Sequence, residues 1–293
     1  MKNYIIFIVV LFFLHLSGCA SVHVKDCPVG INVPDIPITD YYHHDEKDNN
    51  PVIVEHDRKE ILGFTKQIEA DQADWSLLHN RGVKKLMSGD KKGALEDFGR
   101  ELELNPDSFW GGYYMRALVE RDLGALTEAL ADLYKAAWLN PFGALIYNAR
   151  AVTKGGMGDL AGAVSDCTKA IEINNRNIRA YCLRGEYRFR SCDPSGAVDD
   201  YKKAMEIDPD AAPVYNFLAE AAYYEGDYTS CYDYADKCIF MDQGVTASYY
   251  YRGLALIGMG NVKRGRDDLQ KAADMGSKCA ADQIKKIREK AGR

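Results

Sequence analysis

The chain has 293 residues, 27% of them charged and 47% hydrophobic, with 37 basic against 43 acidic side chains and a formal net charge of −6. That composition is globular, and its acidic balance argues against nucleic acid as a partner, since the one dense basic run is Lys285 to Lys290. The eight cysteines include no CxxC pair, and the chain carries no Gly-rich phosphate loop, nucleophile elbow or HExxH, so no cofactor, metal ion or catalytic residue is expected.

Residues 1–18 differ from the rest of the chain. Lys2 precedes an apolar run from Tyr4 to Leu16, which at thirteen residues is too short to span a bilayer, where about 20 are needed, and suits the core of an export signal. The next residues, Leu16-Ser17-Gly18-Cys19, resemble the lipobox of bacterial lipoproteins. That resemblance implies cleavage before Cys19, acylation of its thiol, and a palmitate-type membrane anchor. In the sorting rule of diderm bacteria an aspartate after the cysteine favours the inner membrane, and Ala20 stands there instead, which implies the outer membrane facing the periplasm.

Residues 19–56 contain Pro28, Pro34, Pro37 and Pro51 and a polar run from Tyr41 to Asn50, with no helical period, and read as a tether with a reach of about 30 Å. His43, His44 and His56 lie among Asp45, Glu46 and Asp48 without a fixed ligand spacing, so a solvated acidic linker is the simpler reading than a metal site. From Asp57 to Gln72 a helical pattern resumes, with Ile61, Phe64 (or Leu62) and Ile68 on one face. Residues 57–74 are assigned to an N-terminal helix covering the open end of the segment that begins at Trp75.

From Trp75 the chain repeats. Six units begin at Trp75, Trp110, Ala144, Ile178, Ala212 and Thr246 and run to residue 279, at intervals of 34 apart from a first interval of 35. The fourth place reads Leu78, Tyr113, Tyr147, Tyr181, Tyr215, Tyr249, the eighth Gly82, Ala117, Ala151, Gly185, Ala219, Gly253, and the fifteenth Gly89, Gly124, Gly158, Cys192, Gly226, Gly260. Small residues recur at the twentieth place as Ala94, Ala129, Ala163, Ala197, Cys231 and Gly265. Each unit reads as two helices, the second opened by Asp90, Asp159, Asp193, Asp227 or Asn261, with Thr127 as a substitute cap in the second unit, and closed at Pro106, Pro141 or Pro209 in three of them. Cys167, Cys231 and Cys238 fall at core places and are expected to pack as small hydrophobes. Residues 280–293 form a capping helix, with Ala280, Ile284 and Ile287 on its apolar face.

This period and pattern resemble the tetratricopeptide repeat. The resemblance implies an all-α, right-handed α-solenoid of six helix pairs. It also implies a concave groove lined by the first helices, holding protein or peptide segments. At the corresponding groove positions stand Tyr114, Arg121, Asn148, Arg179, Glu186, Phe189, Arg190, Asn216, Glu220, Tyr223, Tyr224 and Tyr250, with Leu118, Leu254 and Ile257 among them. Tyrosine and arginine are frequent binding hot spots, although the same tyrosines could pack between helices. The lysine and asparagine constellation with which some family members clamp a C-terminal carboxylate is not reproduced.

Two further places vary together. The seventh is Arg81, Arg116, Arg150, Arg184, Leu218, Arg252 and the twenty-third is Asp97, Asp132, Asp166, Asp200, Tyr234, Asp268, so arginine and aspartate are lost from the fifth unit as a pair. A partly buried salt bridge between helices is expected, because removing one partner strands a charge whereas replacing both by apolar groups need not cost stability. The resulting expectation is a lipid-anchored, non-catalytic scaffold that recruits protein partners. By analogy with lipoproteins of this architecture it would serve assembly of envelope machinery. A glycan or peptide receptor is the alternative, since aromatic grooves also stack on sugar rings.

Overall fold

In a computed structural model the described residues are 51–70, 74–107 and 109–291. The segment read as an export signal, the expected lipidation site Cys19, Cys27, His43, His44 and the stretch read as a tether as far as residue 50 lie outside them. Fourteen helices make up the described chain: α1 Pro51–Ala70, α2 Trp75–Met87, α3 Lys91–Leu104, α4 Trp110–Asp122, α5 Leu126–Leu139, α6 Ala144–Gly156, α7 Leu160–Ile173, α8 Ile178–Arg190, α9 Pro194–Ile207, α10 Ala212–Glu225, α11 Tyr228–Met241, α12 Thr246–Gly258, α13 Val262–Asp274 and α14 Lys278–Ala291. The architecture is the expected all-α solenoid of helix pairs. The N-terminal helix begins at Pro51, inside the segment read as tether, because a proline in the first turn gives up an N–H that has no helical partner anyway.

The helix boundaries follow from local chemistry. Asp90, Asp159, Asp193 and Asp227 each accept the backbone N–H of the third residue of the following helix. Neither α5 nor α13 has a side-chain cap, so the expectation that Thr127 and Asn261 would serve is corrected. Each first helix ends one or two residues before the fifteenth place, where the backbone turns left-handed. Gly124 and Gly260 have φ of 85°, and Cys192 adopts 64° without glycine's freedom.

Within a unit, the two helices close on a pair of side chains sixteen residues apart whose sizes trade off. A Cβ on Gly82 would sit 2.8 Å from the Phe98 ring, and one on Gly185 would sit 2.5 Å from Tyr201, both rings being buried. The units with alanine at the eighth place carry Leu133, Cys167 and Ala235 instead, all buried. Between units the fourth-place tyrosine reaches back, as Tyr113, Tyr147 and Tyr215 donate their hydroxyls to the carbonyls of Pro106, Pro141 and Pro209 at 3.0, 3.2 and 2.9 Å. The closing proline and the next unit's aromatic are therefore one device. Cys167, Cys231 and Cys238 are fully buried, as their places required.

The arginine and aspartate places form the expected ion pairs. Arg81–Asp97 and Arg116–Asp132 close at 2.6 Å, Arg184–Asp200 and Arg252–Asp268 at 2.7 Å, and Arg150–Asp166 completes the set. All five bridge the two helices of one unit. The guanidinium also faces the preceding helix: Arg81 donates to Thr65 and Arg184 to Thr168, both at 3.2 Å, Arg252 donates to Asp236 at 2.6 Å, and Arg150 lies over the Tyr134 ring at 4.7 Å. In each case the contact is sixteen residues upstream.

Thr65 on α1 thus holds the register position of Thr168 on α7, so α1 stands where the second helix of an earlier unit would stand. Its buried face carries Ile68, with Ile61 and Phe64 half-buried and Leu62 54% exposed, which selects Phe64 over Leu62. At the other end α14 begins a further half unit, burying Ala280 and Ile284 while Lys285, Lys286, Arg288 and Glu289 face water.

Candidate functional site

First helices of consecutive units touch each other from α2 through α12, whereas second helices of consecutive units make no comparable contact among the described residues. The first-helix face is therefore the closely spaced, inner side. The groove candidates on it fall into two groups.

The first group spans the second to fourth units. Tyr114 on α4 stacks edge-on against Trp110 at 5.9 Å, and the charges of Arg179 and Arg121 oppose the upward push that burial gives its phenol pKa. Arg121 also contacts its neighbour Asp122 at 3.3 Å. This part of the groove is basic.

The second group lies on α8, α10 and α12. Phe189 and Tyr224 approach with centroids 5.5 Å apart, Tyr224 meets Tyr223 at 5.3 Å, Tyr223 meets Tyr251 at 6.1 Å, and Tyr251 meets Tyr250 at 5.3 Å. These rings form one continuous series of contacts across three helices. Two carboxylates stand in it. Tyr251 donates its hydroxyl to Glu220 at 2.7 Å, and Glu186 pairs with Arg190 one turn along α8 at 3.4 Å. Burial pushes the Glu220 carboxyl up to about 7 against the hydrogen bond from Tyr251, with the Glu186 charge adding to the rise. Burial likewise raises Glu186, and Arg190 opposes it. The phenols of Tyr224 and Tyr250 are raised by burial, Tyr250 to about 12, so both stay neutral at physiological pH.

Asn148 and Asn216 do not join either open group, and their place among surface contacts is corrected. Asn216 is 4% exposed, its side-chain oxygen accepting from the Ser248 hydroxyl at 3.0 Å, so it fastens α10 to α12. Asn148 is 6% exposed and donates to Asn177 at 3.3 Å. Each asparagine is covered by the start of the next first helix, at Asn177 and Ser248, which spacing alone does not reveal.

Sequence reasoning missed Tyr251 and Tyr187. Tyr187 packs over Gly155, where a Cβ would lie 2.5 Å from the ring, so a glycine one unit upstream was the available signal. It also missed an exposed aromatic set on the opposite side, Tyr134, Trp138 and Phe142, the last 81% exposed. Among the described residues no three His, Cys, Asp or Glu side chains converge as a metal site, and no helix is long and apolar enough to cross a membrane.

No family model and no curated protein sequence matches the chain. Solved structures do. The chain is similar to a tetratricopeptide repeat protein from Parabacteroides merdae, with a TM-score of 0.62 at 18% identity over 77% of this chain and 90% of that one. Similarity to YrrB, described as a tetratricopeptide protein with an unusual peptide-binding site, has a TM-score of 0.51 at 20% identity over 66% of this chain and 99% of that one. A chain of the APC/C hetero-tetramer gives a TM-score of 0.66 at 14% identity over 78% of this chain, which spans 46% of that longer one. The helix pairs, their 34-residue register and these likenesses together establish a tetratricopeptide-repeat fold.

Proposed function

We propose that the protein is a non-catalytic scaffold that holds a segment of a partner protein along the inner face of α8, α10 and α12. The observation that carries this reading is the unbroken series of ring contacts from Phe189 to Tyr250, four of its five rings half-buried and the linking Tyr251 buried, interleaved with Glu186 and Glu220. Rigid aromatic side chains beside fixed polar groups give large contact area at little entropic cost on binding. The peptide-binding site ascribed to YrrB supports the same reading by analogy. The sequence of the leader supports attachment through a lipid on Cys19, at the outer membrane of a diderm cell, with the tether giving the array room to reach its partner. Such a protein would organise envelope machinery.

A photoreactive phenylalanine analogue placed at Phe189, with one at the outward-facing Phe240 as control, tests the groove in intact envelopes. Discrete crosslinked protein at Phe189, lost in a folded Tyr224→Ala variant, is the expected result, and equal yields at both positions would overturn it. Mass spectrometry of the mature N-terminus should show an acylated Cys19; a chain that begins elsewhere or carries a free Cys19 thiol would count against the lipid anchor.

A further inference from the structure

Elsewhere in the array most buried carboxylates are held by an arginine or an imidazole of their own, the exception being Glu120, which lies 3.9 Å from Arg116. Asp97, Asp132, Asp166, Asp200 and Asp268 each receive an arginine, and Glu101 receives His79 at 3.0 Å. Glu186 and Glu220 are different. Glu220 is held by a neutral phenol at 2.7 Å, and among the described residues the cation paired with Glu186 is Arg190 at the longer distance of 3.4 Å, so the two carboxylates share less than one well-made ion pair.

Packing does not require acids there. The ninth place, where both stand, reads Val83, Leu118, Val152, Glu186, Glu220, Leu254, and the four apolar side chains serve the same interhelical position. Burying two like charges near each other carries a cost that valine would avoid. Around them Phe189 and Tyr224 present ring faces and edges, the environment in which an ammonium or guanidinium gains both cation–π and ionic attraction, while Tyr251, 2% exposed, holds Glu220 from the core side. Glu186 remains 27% exposed, so the site is open to solvent.

We propose that Glu186 and Phe189 on α8 and Glu220 and Tyr224 on α10, with the buried Tyr251 of α12 positioning Glu220, form the seat for a lysine or arginine side chain projecting from an extended segment of the partner protein. This rests on the reading of the inner face as a docking groove and specifies what that groove selects. The excess negative charge supplies the complementarity, and the rings hold the aliphatic stem of the side chain.

The test selects a random nonapeptide library on the full chain in detergent micelles, and the best binders are resynthesised with each lysine or arginine changed to glutamine. One such change is expected to weaken binding at least tenfold. The Glu186→Gln, Glu220→Gln double variant should bind the parent peptide at least tenfold more weakly and the glutamine peptide unchanged, while a thermal melt confirms that it is folded. If binding survives loss of every peptide cation, or the double variant binds as the native chain does, while Tyr224→Ala abolishes binding, the groove reading stands and the cation seat falls. Peptides whose binding ignores Tyr224→Ala and the double variant alike would overturn both. Free lysine amide competing as strongly as the peptide would overturn a peptide partner.

Discussion

At the scale of single residues, the eighth and twenty-fourth places act as one variable divided between two helices. Gly185 leaves room for Tyr201, which stacks on Phe217 at 5.2 Å and is 3% exposed. Gly185→Ala should therefore destabilise the chain by about 1–3 kcal/mol, the range for overpacking a well-filled core. Adding Tyr201→Leu should recover part of that loss, since the second unit already pairs Ala117 with Leu133. Urea denaturation of the single and double variants decides this, and additive losses would refute the coupling. Glu220 makes a second residue-scale prediction. Its folded pKa of about 7 lies above the ordinary 4.5, so the native state binds more protons than the unfolded chain between these values, and stability falls as pH rises through that window. Glu220→Gln keeps an acceptor for Tyr251 and removes the charge. Its stabilisation should be near zero at pH 4 and reach the order of 1–3 kcal/mol at pH 8. A gain that does not change with pH would place its origin elsewhere.

At the scale of elements, the ion pairs are three-helix fasteners whose aspartate often takes a second cation. Lys85 reaches Asp97 at 2.9 Å, Lys154 reaches Asp166 at 2.8 Å and Arg188 reaches Asp200 at 2.9 Å, all from the eleventh place. The second unit has Glu120 at that place, with one buried oxygen that has no hydrogen-bond partner among the described residues and a pKa raised to about 7, first by burial and then by Asp132. Glu120→Lys should restore the second cation and raise stability at pH 8 by about 1–2 kcal/mol, a Tm increase of roughly 2–8 °C for a chain of this size. Calorimetry at pH 8 measures it, and an unchanged Tm would show that the second cation contributes nothing. The Arg–Asp pairs themselves were legible, because of six parallel copies five keep both partners and the fifth loses both together, at Leu218 and Tyr234. The second cation and the backward reach to Thr65, Thr168, Asp236 and Tyr134 were not. Those places hold different chemical groups in different units, so no single residue type marked them.

The same contrast explains the site. Repeat register placed Phe189, Tyr223, Tyr224 and Tyr250 on the inner face, since a helix face is fixed by spacing. Whether a side chain on that face stays open or is covered by the next helix depends on the volume of its neighbours, and there Asn148 and Asn216 were misjudged. Tyr251 escaped notice because it sits at a place filled by Leu183 and Phe217 in the two preceding units, and only its hydroxyl, directed at Glu220, gives it a role.

At the scale of the whole array, each unit touches mainly its neighbours, so stability is a sum of local terms and depends on how the ends are closed. Both ends finish on half units: α1 substitutes for a preceding second helix, and α14 for a following first helix. The fit is specific at α14, where Ala280 and Ile284 join the cluster containing Tyr249, Tyr251, Leu254 and Leu269. Ending the chain after Ser277 would uncover that cluster while leaving every Arg–Asp pair intact. Hydrogen exchange should then show α12 and α13 losing protection first, with α2 to α7 close to native, because the loss propagates only through neighbouring contacts. Tyr251 belongs both to the uncovered cluster and to the Glu220 hydrogen bond, so the truncated chain should also bind groove peptides more weakly, even though α14 carries none of the proposed contact residues. Uniform loss of protection across all units would mean that the array unfolds as one cooperative block, and the end caps would then govern the stability of every helix.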